Sequence, residues 1–486
     1  MNELPIAVVG SGFSGIAMGV ALKGAGIDSF VILEKAGDVG GTWRDDTYPG
    51  AACDVPSHLY CFSFEPKPDW TRAYSPQREI HAYLRHCVEK YDLSRHIRFH
   101  QEVTGAEFDE ATGSWTVRIA GAEPVRARAL VLENGALHVP ALPEVPGREA
   151  FEGRLFHSAR WDHGFPLAGK RAAVIGTGAS AIQFVPEIAG EVEKLEVFQR
   201  TAPWVAPKPD RAMRPYEKRL YRWFRPAHWL HRARLYWQAE LLAVGFVVNP
   251  KWMKLLERLL RRHLASVVRD RELRRKVTPS YALGCKRILL SNDWYAALQR
   301  PNVELVTEAI ERITPKGIQT HDGVEHPADA IICGTGFMVG DYLTKLAIRG
   351  RAGRTLDEVV NQRAGTYLGI TVHGFPNLYL LMGPNTGLGH NSMIFMIEAQ
   401  VRHALQCVRA LRERKLAFLD VRAPAQSRFT EQVQRKLRGT VWSTGCQSWY
   451  LDEDGYNGTL WPYFTFQYWW RTRRLARADY EEVAAR

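Results

Sequence analysis

The sequence lacks any apolar run long enough to cross a membrane. Its longest uninterrupted apolar stretches, such as residues 241–248, are far shorter than the roughly 20 residues that a membrane-spanning helix needs. Residues 1–5 carry no basic leader, so no signal peptide is expected. The seven cysteines include no C-x-x-C pair, which argues against a disulfide framework, a zinc site and a dithiol redox centre. From these absences we expect a cytoplasmic protein.

What the chain does have is length and an uneven charge distribution. Its 486 residues, 46% of them hydrophobic and 24% charged, fit two or three globular domains. The net charge is +12, and residues 211–276 hold 18 Lys and Arg against 5 Asp and Glu. A basic helical block can contact an anionic membrane or a nucleic acid. We favour a solvated helical surface, and the confinement of the charge to one insert disfavours nucleic-acid binding.

Two segments have the pattern of a strand, a glycine turn and a helix. Residues 6–9 and 172–175 are apolar runs, each followed by a glycine-rich turn. Such a turn lets the backbone approach a pyrophosphate, which lies at the positive end of the helix. Two turns 166 residues apart predict two dinucleotide sites. The predicted binding residues are Gly10, Gly12, Phe13, Ser14 and Gly15 in the first turn and Gly176, Gly178, Ala179, Ser180 and Ala181 in the second.

The residues that follow each turn distinguish the two sites. The first site has an apolar strand at residues 30–33 that ends in Glu34. A carboxylate there accepts hydrogen bonds from a ribose and repels a 2′-phosphate, which indicates FAD or NAD. The corresponding strand of the second site, residues 195–198, leads to Arg200 and Thr201. A guanidinium and a hydroxyl suit the 2′-phosphate of NADPH.

Two further motifs resemble a known family. Residues 151–162, F-E-G-R-L-F-H-S-A-R-W-D, are similar to the F-x-G-x-x-x-H-x-x-x-W-[P/D] string of type I Baeyer–Villiger monooxygenases. Residues 40–54 resemble that family's G-G-x-W…Y-P-G-x-x-x-D pattern, and the resemblance continues to residues 446–450. It therefore covers nearly the whole chain. N- and S-oxygenating flavin monooxygenases share the glycine turns but usually carry Phe or Tyr where Trp161 stands.

The resemblance implies an enzyme that uses FAD and NADPH to insert one oxygen atom from O2 beside a ketone carbonyl. The product is an ester or lactone, formed through a C4a-peroxyflavin, and sulfide oxidation is an expected side activity. Attack of the anionic peroxide leaves negative charge on the former carbonyl oxygen, and a fixed cation near that oxygen lowers the barrier. The expected partners are a ketone and O2.

The same resemblance assigns the catalytic residues. Arg287 and Lys286 lie in G-C-K-R-I-L at residues 284–289 and are similar to the family's catalytic Lys-Arg pair. Arg suits the role because it stays charged at any working pH. The resemblance implies that Lys286 binds the NADPH 2′-phosphate beside Arg200. It also implies that Asp54 pairs with Arg287 and holds its guanidinium in place.

Other residues take their expected roles from the family alone. His157 is expected to orient the chain against NADP without transferring a proton. Met393 near the flavin ring and Trp449 on a loop that closes over NADP are expected contacts, with core packing as the alternative for each. One departure is the segment at residues 133–135, Glu-Asn-Gly, where members often have Ala-Thr-Gly. The remaining implied contacts are Gly41, Thr42, Trp43, Tyr60 and Val103 for FAD, and Thr177, Gln183 and Thr201 for NADP.

The predicted fold is α/β, with two doubly wound Rossmann-like nucleotide-binding domains, one inserted in the other. The FAD-binding domain is expected at residues 1–145 and 328–486, since a strand at residues 328–333 is predicted to return to it. The NADPH-binding domain is expected at residues 146–327, with the basic helical insert at residues 211–276. A helix at residues 391–414 should complete the first domain.

Three alternative functions stay open at this point. An N- or S-oxygenating flavin monooxygenase would give an N-oxide and no ester. A reductase that only transfers electrons would consume NADPH whether or not a ketone is present. A nucleotide-sensing protein docked on an acidic membrane through residues 211–276 would bind liposomes in a salt-sensitive way and would not oxidise NADPH.

Overall fold

A computed structural model of the chain describes residues 5–133, 135, 137–338, 346–363, 365–443, 446, 448, 450–452 and 454–485. Among these residues, no helix combines the length and apolarity needed to span a bilayer. The strands are β1 (Ile6–Val9), β2 (Phe30–Leu33), β3 (Ile97–Arg98), β4 (Val103–Asp109), β5 (Ser114–Ile119), β6 (Ala122–Ala127), β7 (Ala129–Leu132), β8 (Arg154–His157), β9 (Arg171–Ile175), β10 (Lys194–Phe198), β11 (Val205–Ala206), β12 (Leu289–Leu290), β13 (Val303–Val306), β14 (Ile310–Thr314), β15 (Gly317–Thr320), β16 (Glu325–Pro327), β17 (Ala330–Cys333), β18 (Ala347–Arg349), β19 (Leu378–Leu380), β20 (Leu416–Val421) and β21 (Tyr480–Ala484).

Helices follow most of the parallel strands and build the insert. The predicted helix at residues 391–414 is α11, which packs with α1 in one apolar core. The α-helices are α1 (Phe13–Gly24), α2 (Thr42–Asp45), α3 (Gln77–Lys90), α4 (Ala181–Ile188), α5 (Pro215–Trp223), α6 (Arg225–Ala243), α7 (Lys251–Val267), α8 (Arg271–Lys276), α9 (Trp294–Ala297), α10 (Leu356–Asn361), α11 (Met393–Glu413), α12 (Ala423–Leu437) and α13 (Thr465–Thr472).

The first nucleotide fold is a parallel sheet with the strand order β19-β7-β1-β2-β3. Ile6 of β1 lies opposite Phe30 of β2 on one side and Ala129 of β7 on the other. These strands are almost wholly apolar and buried because both faces of the sheet are covered, one by α1 and α11 and the other by the strands β4 and β5. Strands β18, β4, β5 and β6 form a separate sheet beside it.

The second nucleotide fold is a parallel sheet with the order β13-β10-β9-β17-β8. The two doubly wound sheets confirm the predicted fold class. The strand predicted at residues 328–333 is β17, but its Ala330 lies opposite Ala172 of β9 and Arg154 of β8. The prediction that this strand returns to the first domain is therefore wrong. Local sequence marks a parallel strand but does not say which sheet its crossover reaches.

The chain instead returns to the first sheet through β19, where Leu378 lies opposite Leu130 of β7. The two stretches that link the nucleotide folds run side by side. The N–H of Ala141 donates to the Gly336 carbonyl at 2.9 Å, and that of Met338 donates to the Val139 carbonyl at 3.0 Å. Adjacent entry and exit segments are what the insertion of one fold into another requires. The predicted domain boundaries otherwise stay predictions.

Candidate active site

The first glycine turn joins β1 to α1. Gly10 has φ of +101°, a conformation that favours glycine. A Cβ on Gly15 would overlap the Gly10 carbonyl oxygen, so α1, which begins at Phe13, packs this closely on the turn only with glycine there. A Cβ on Gly41 would lie 3.5 Å from the Gly12 Cα. The segment that contains Gly41 therefore lies directly over the turn.

Glu34 lies at the end of β2, beside the same turn. Its Oε2 accepts hydrogen bonds from the Ser11 N–H at 3.0 Å and from the Ser11 hydroxyl at 2.7 Å. Its Oε1 accepts one from Arg44 at 3.0 Å. The Gln101 N–H donates to the Glu34 carbonyl at 2.9 Å, which brings the start of β4 and the buried Val103 toward this end of the sheet. Glu34 is thus positioned where a ribose acceptor is predicted.

Glu133, the departure noted in the sequence, reaches from the end of β7 into the first glycine turn. Its Oε2 accepts a hydrogen bond from the Gly12 N–H at 2.9 Å, and its Oε1 accepts one from the Ser14 N–H at 3.3 Å. Burial raises the pKa of Glu133 to about 7, and the charge of Glu34 also raises it. These N–H groups are the ones expected to hold the pyrophosphate of FAD. The cradle thus fits an anion, and the Glu133 carboxylate takes that position here.

Aromatic side chains line the region between the first turn and the chain that follows it. Trp43 of α2 donates its indole N–H to the Tyr60 hydroxyl at 3.1 Å. The Tyr60 ring lies 5.2 Å from that of Phe13 at the start of α1. Thr42 begins α2, and Met393 begins α11. Met393 packs against the apolar core, so its alternative role as core filler fits the structure.

The second glycine turn joins β9 to α4. Gly176 has φ of +106°, and a Cβ there would lie 2.5 Å from the Gly334 carbonyl oxygen. The turn therefore packs against the end of β17, which needs glycine at position 176. The Thr177 hydroxyl donates to the Thr201 carbonyl at 3.4 Å. This contact holds the turn beside the residues that follow β10. Gly178, Ala179, Ser180 and Ala181 complete the turn and begin α4.

Residues 46–54 connect the two nucleotide folds directly. The Tyr48 side chain hydrogen-bonds with Ser180 of the second turn, while burial raises the pKa of Tyr48 above its usual value. The Ala52 N–H donates to the Gln183 side-chain oxygen at 2.9 Å. Gln183, expected to line the NADP site, therefore also joins the two folds.

A pair of cations stands beside the second turn. Burial lowers the pKa of Lys286, and the nearby positive charge of Arg200 lowers it further. The Lys286 Nζ lies 4.9 Å from the centre of the Tyr281 ring, while Arg200 is exposed. Two neighbouring cations suit an anionic group, since a shared anion relieves their repulsion. The structure thus brings together the two residues predicted to hold the 2′-phosphate.

Asp54 and Arg287 form an ion pair. The Arg287 Nε lies 2.9 Å from Asp54 Oδ2, and Nη2 contacts the same oxygen. The charge of Asp54 raises the pKa of Arg287. The Arg287 side chain is 34% exposed, so a substrate can reach it. This arrangement matches the prediction that the carboxylate fixes the guanidinium.

Tyr450 is a residue near this pair to which the sequence assigned no role. It is buried, and burial raises its pKa to about 12, while the positive charge of Arg287 lowers it. Its phenol therefore stays neutral at any working pH. Its position in the string at residues 446–450 was the only signal, and nothing local indicates that it approaches residue 287.

His157 lies at the end of β8 and is buried. Its Nδ1 accepts a hydrogen bond from the Ala159 N–H at 3.1 Å, and burial lowers its pKa to about 4. Trp161, four residues on, packs its ring 5.2 Å from those of Phe156 and Phe184. The motif that carried the family resemblance thus fixes β8 against α4, and its histidine is neutral at neutral pH.

A disulfide joins Cys285, directly before Lys286 and Arg287, to Cys446, with their Cα atoms 6.2 Å apart. The expectation that the cysteines form no disulfide framework is therefore wrong for this pair. The two cysteines are 161 residues apart in the sequence, and no spacing rule detects such a pair.

Trp449, the residue expected to close over NADP, lies outside the described residues. Within the described part of the chain, no group of three or more His, Cys, Asp and Glu side chains is arranged to hold a metal ion.

Two doubly wound sheets, each with a glycine turn before a helix, define a protein with two dinucleotide-binding folds. Residues 4–230 match the family model described as flavin-binding monooxygenase-like.

Similar proteins define the family more closely. A Baeyer–Villiger monooxygenase of Pseudomonas aeruginosa is 48% identical over 97% of this chain and 89% of its own length. Another, from Streptomyces coelicolor, is 44% identical over 99% of this chain and 93% of its own. The crystal structure of OTEMO in complex with FAD and NADP has a TM-score of 0.90 at 25% identity and covers 99% of both chains. The chain belongs to the Baeyer–Villiger monooxygenase family, as its motifs predicted.

Proposed function

We propose that this protein is an FAD- and NADPH-dependent monooxygenase that converts ketones to esters or lactones and also oxidises sulfides. The observation that carries the proposal is the Asp54–Arg287 ion pair, and the segment that holds Asp54 also contacts Gln183 of α4 in the second nucleotide fold. A permanently charged guanidinium held by a carboxylate suits negative charge that develops on a carbonyl oxygen. The relatives at 48% and 44% identity, both Baeyer–Villiger monooxygenases, support it.

The residues present fit both cofactors. FAD would be held by the N–H groups of Gly12 and Ser14, by Glu34 at the ribose, and by the Trp43–Tyr60 pair beside α1. When bound, the cofactors supply hydride transfer and activation of O2. NADPH would take the second turn, with its 2′-phosphate between two cations; these are Arg200 and Lys286.

Arg287 would act on the substrate by electrostatics alone. Its very high pKa, raised by Asp54, means that it donates hydrogen bonds without losing a proton. Asp54 fixes two of the guanidinium nitrogens, so little reorganisation is needed when charge appears on the ketone oxygen. Tyr450 is buried near this pair and stays protonated, so it adds no second negative charge.

The test is the substitution Arg287→Ala. Removal of one preorganised donor for an oxyanion costs about 10²- to 10³-fold in kcat, so ester formation should fall by at least that factor. Reduction of the flavin by NADPH should continue, because the anion sites at both turns are intact. Product analysis with a cyclic ketone and stopped-flow flavin reduction measure the two steps separately. Arg287→Lys is the matched control, because lysine keeps the positive charge but lacks the planar set of N–H donors of the guanidinium.

Three outcomes would contradict the proposal. An N-oxide from a tertiary amine, without ester from any ketone, would indicate an N- or S-oxygenating enzyme. NADPH oxidation that no ketone changes, without oxygenated product, would indicate a reductase. Full ester formation by Arg287→Ala would show that the guanidinium does not have the assigned role.

The expected cytoplasmic location stays a prediction. The Cys285–Cys446 disulfide argues against it, because cytosolic thiols are usually kept reduced.

A further inference from the structure

One surface of the helical insert exposes large apolar side chains. On α6 the outward positions are Leu230, Ala233, Trp237 and Leu241, spaced three or four residues apart, so they form one stripe. Leu230 and Leu241 are 73% and 74% exposed. A surface helix usually turns such a stripe toward the core. On α6 the stripe faces solvent.

The inward face of α6 is polar instead. Glu240 is buried and accepts hydrogen bonds from the Asn391 side chain at 2.6 Å and from the Thr465 N–H at 3.2 Å. His228, one end of the same face, is buried and contacts the His58 ring nitrogen at 2.9 Å. Because these polar groups fix the orientation of the helix, the outward leucines and tryptophan are held in solvent.

Other helices also expose large apolar side chains. On α7, Trp252, Leu255 and Leu259 are exposed at the same helical spacing, while Met253 and Leu260 are buried. At the α13 side, the Phe466 ring lies 6.1 Å from that of Trp237. We call the exposed apolar set the insert surface; it comprises Leu220, Trp223, Phe224, Trp229, Leu230, Trp237, Leu241, Trp252, Leu255, Leu259, Phe466 and Trp470.

Positive charge surrounds the insert surface. Residues 211–276 hold 18 Lys and Arg against 5 Asp and Glu. The acidic side chains are largely engaged, since Glu217 accepts from Arg211 and Glu257 accepts from Arg261. Exposed cations lie between the apolar residues of α7, among them Lys254 and Arg258. The surface therefore combines tryptophan, leucine and positive charge.

We propose that the insert surface docks on a lipid bilayer that contains anionic headgroups. Helices that lie in a membrane interface present Trp and Leu on one side and Lys and Arg beside them. Tryptophan concentrates at the headgroup level, and juxtamembrane cations bind anionic lipids. The helices would lie along the bilayer without crossing it. This inference is independent of the proposed reaction, because none of these side chains belongs to the nucleotide or Arg287 sites.

The charge and the polarity of the insert surface disfavour two other binding partners, a second copy of the chain and a nucleic acid. A second copy of the chain would bring two surfaces of the same sign together, which costs free energy at low salt. A nucleic acid would pair with the cations but would set the exposed leucines against a charged backbone. Only a surface that is both anionic and apolar matches every feature of this face.

The test is co-sedimentation of the full-length holoenzyme with vesicles of phosphatidylglycerol and phosphatidylcholine. We expect binding that weakens as salt rises and that is weak on pure phosphatidylcholine. Trp237→Ser with Leu241→Ser should weaken binding at all salt concentrations by about tenfold or more, because both side chains lose their apolar contact. Lys254→Glu with Arg258→Glu should weaken it by a similar factor at low salt only.

Matched controls lie on the antiparallel sheet of β14, β15 and β16. Val324→Ser removes an apolar side chain that is also exposed, and Lys316→Glu reverses an exposed charge; both should bind like the parent. Flavin content and Tm report whether each variant is folded. The proposal is overturned if anionic vesicles fail to bind the parent at low salt, or if the insert variants bind as well as the controls. It is also overturned if the parent only self-associates in sedimentation and Trp237→Ser with Leu241→Ser abolishes that association.

Discussion

The two glycine turns share a first glycine with positive φ but have opposite electrostatic surroundings. The first has two carboxylates within hydrogen-bond reach, Glu34 and Glu133. The second has two cations beside it, Arg200 and Lys286. The shared turn supplies a pyrophosphate site, and the charges decide what else can bind. We therefore expect nucleotide specificity to depend on a few side chains that follow the strands, outside the glycine motif itself.

The two turns also differ in the hydrogen bonds that their residues make. At the first turn the Glu133 carboxylate already accepts the N–H bonds of the helix start. At the second, Ser180 and Gln183 bind residues 48 and 52 of the first fold. The N–H groups of the first turn are thus bonded within their own fold, while side chains at and after the second turn bond across to the first fold. Changes at the second turn should affect how the domains meet, and changes at the first should affect FAD alone.

Among changes at the two turns, substitution of the cations at the second turn is expected to have the largest effect, which is on the use of NADPH. Arg200→Ser with Lys286→Ala should lower kcat/KM for NADPH by about 10²- to 10⁴-fold, since each charged hydrogen bond contributes about 1.5–3 kcal/mol. The value for NADH, which lacks the 2′-phosphate, should change little. Steady-state kinetics with both nucleotides measure the difference, and the flavin content should stay at the parent level.

The control for this pair is Arg269→Ser, an exposed cation of the same basic insert, which should leave both nucleotides unaffected. Equal losses for NADPH and NADH would show that the two cations do not recognise the phosphate. Loss of FAD from the double variant would contradict the separation of the two turns.

Substitution of Glu133 is expected to have an intermediate effect, which is on the affinity of the apoprotein for FAD. FAD must displace its carboxylate from the Gly12 and Ser14 N–H groups, and the group is charged above its pKa of about 7. The affinity of the apoprotein for FAD should therefore fall as pH rises from 6 to 8. Glu133→Ala should bind FAD about tenfold more tightly at pH 8 and flatten this dependence, because no internal anion competes. Fluorescence titration of FAD at each pH measures the constants.

The isosteric variant Glu133→Gln separates charge from size. It should resemble wild type at pH 6, where the carboxyl is mostly protonated, and show no change at pH 8. Weaker binding by Glu133→Ala with an unchanged pH dependence would mean that the carboxylate contacts FAD favourably.

Patterns within one segment of the sequence predicted most of the site. Each strand, turn and helix of the nucleotide motifs is a local unit, so Gly10, Glu34, Gly176 and Arg200 could be assigned from spacing alone. Asp54 and Arg287 are 233 residues apart, and only the resemblance to a family indicated that they meet. Their ion pair depends on how two domains pack, which no periodicity encodes.

The features that sequence reasoning missed are all non-local contacts. The segment Ala330–Cys333 was predicted correctly as a strand but was placed in the wrong sheet. The local sequence of a parallel strand does not determine which sheet its crossover connection reaches. The Cys285–Cys446 pair closes a loop of 161 residues. Glu133 was noted only as a departure, and its role depends on a turn 121 residues earlier in the chain.

The smallest effect is expected at His157, which lies at the end of β8, two strands from the strand β9 that leads into the second turn. Burial lowers its pKa to about 4 from a usual 6.5, so between these values the folded state binds fewer protons than the unfolded state. Stability from this group is therefore complete above pH 6.5 and is lost as pH falls toward 4. His157→Asn should flatten the dependence of Tm on pH in that window slightly, since other histidines are buried too. It should change kcat less than about twofold at pH 7.5, where the parent imidazole is already neutral. Loss of the acidic limb of the kcat profile in this variant would instead make His157 a proton acceptor, and the two nucleotide folds would then differ in chemistry as well as in charge.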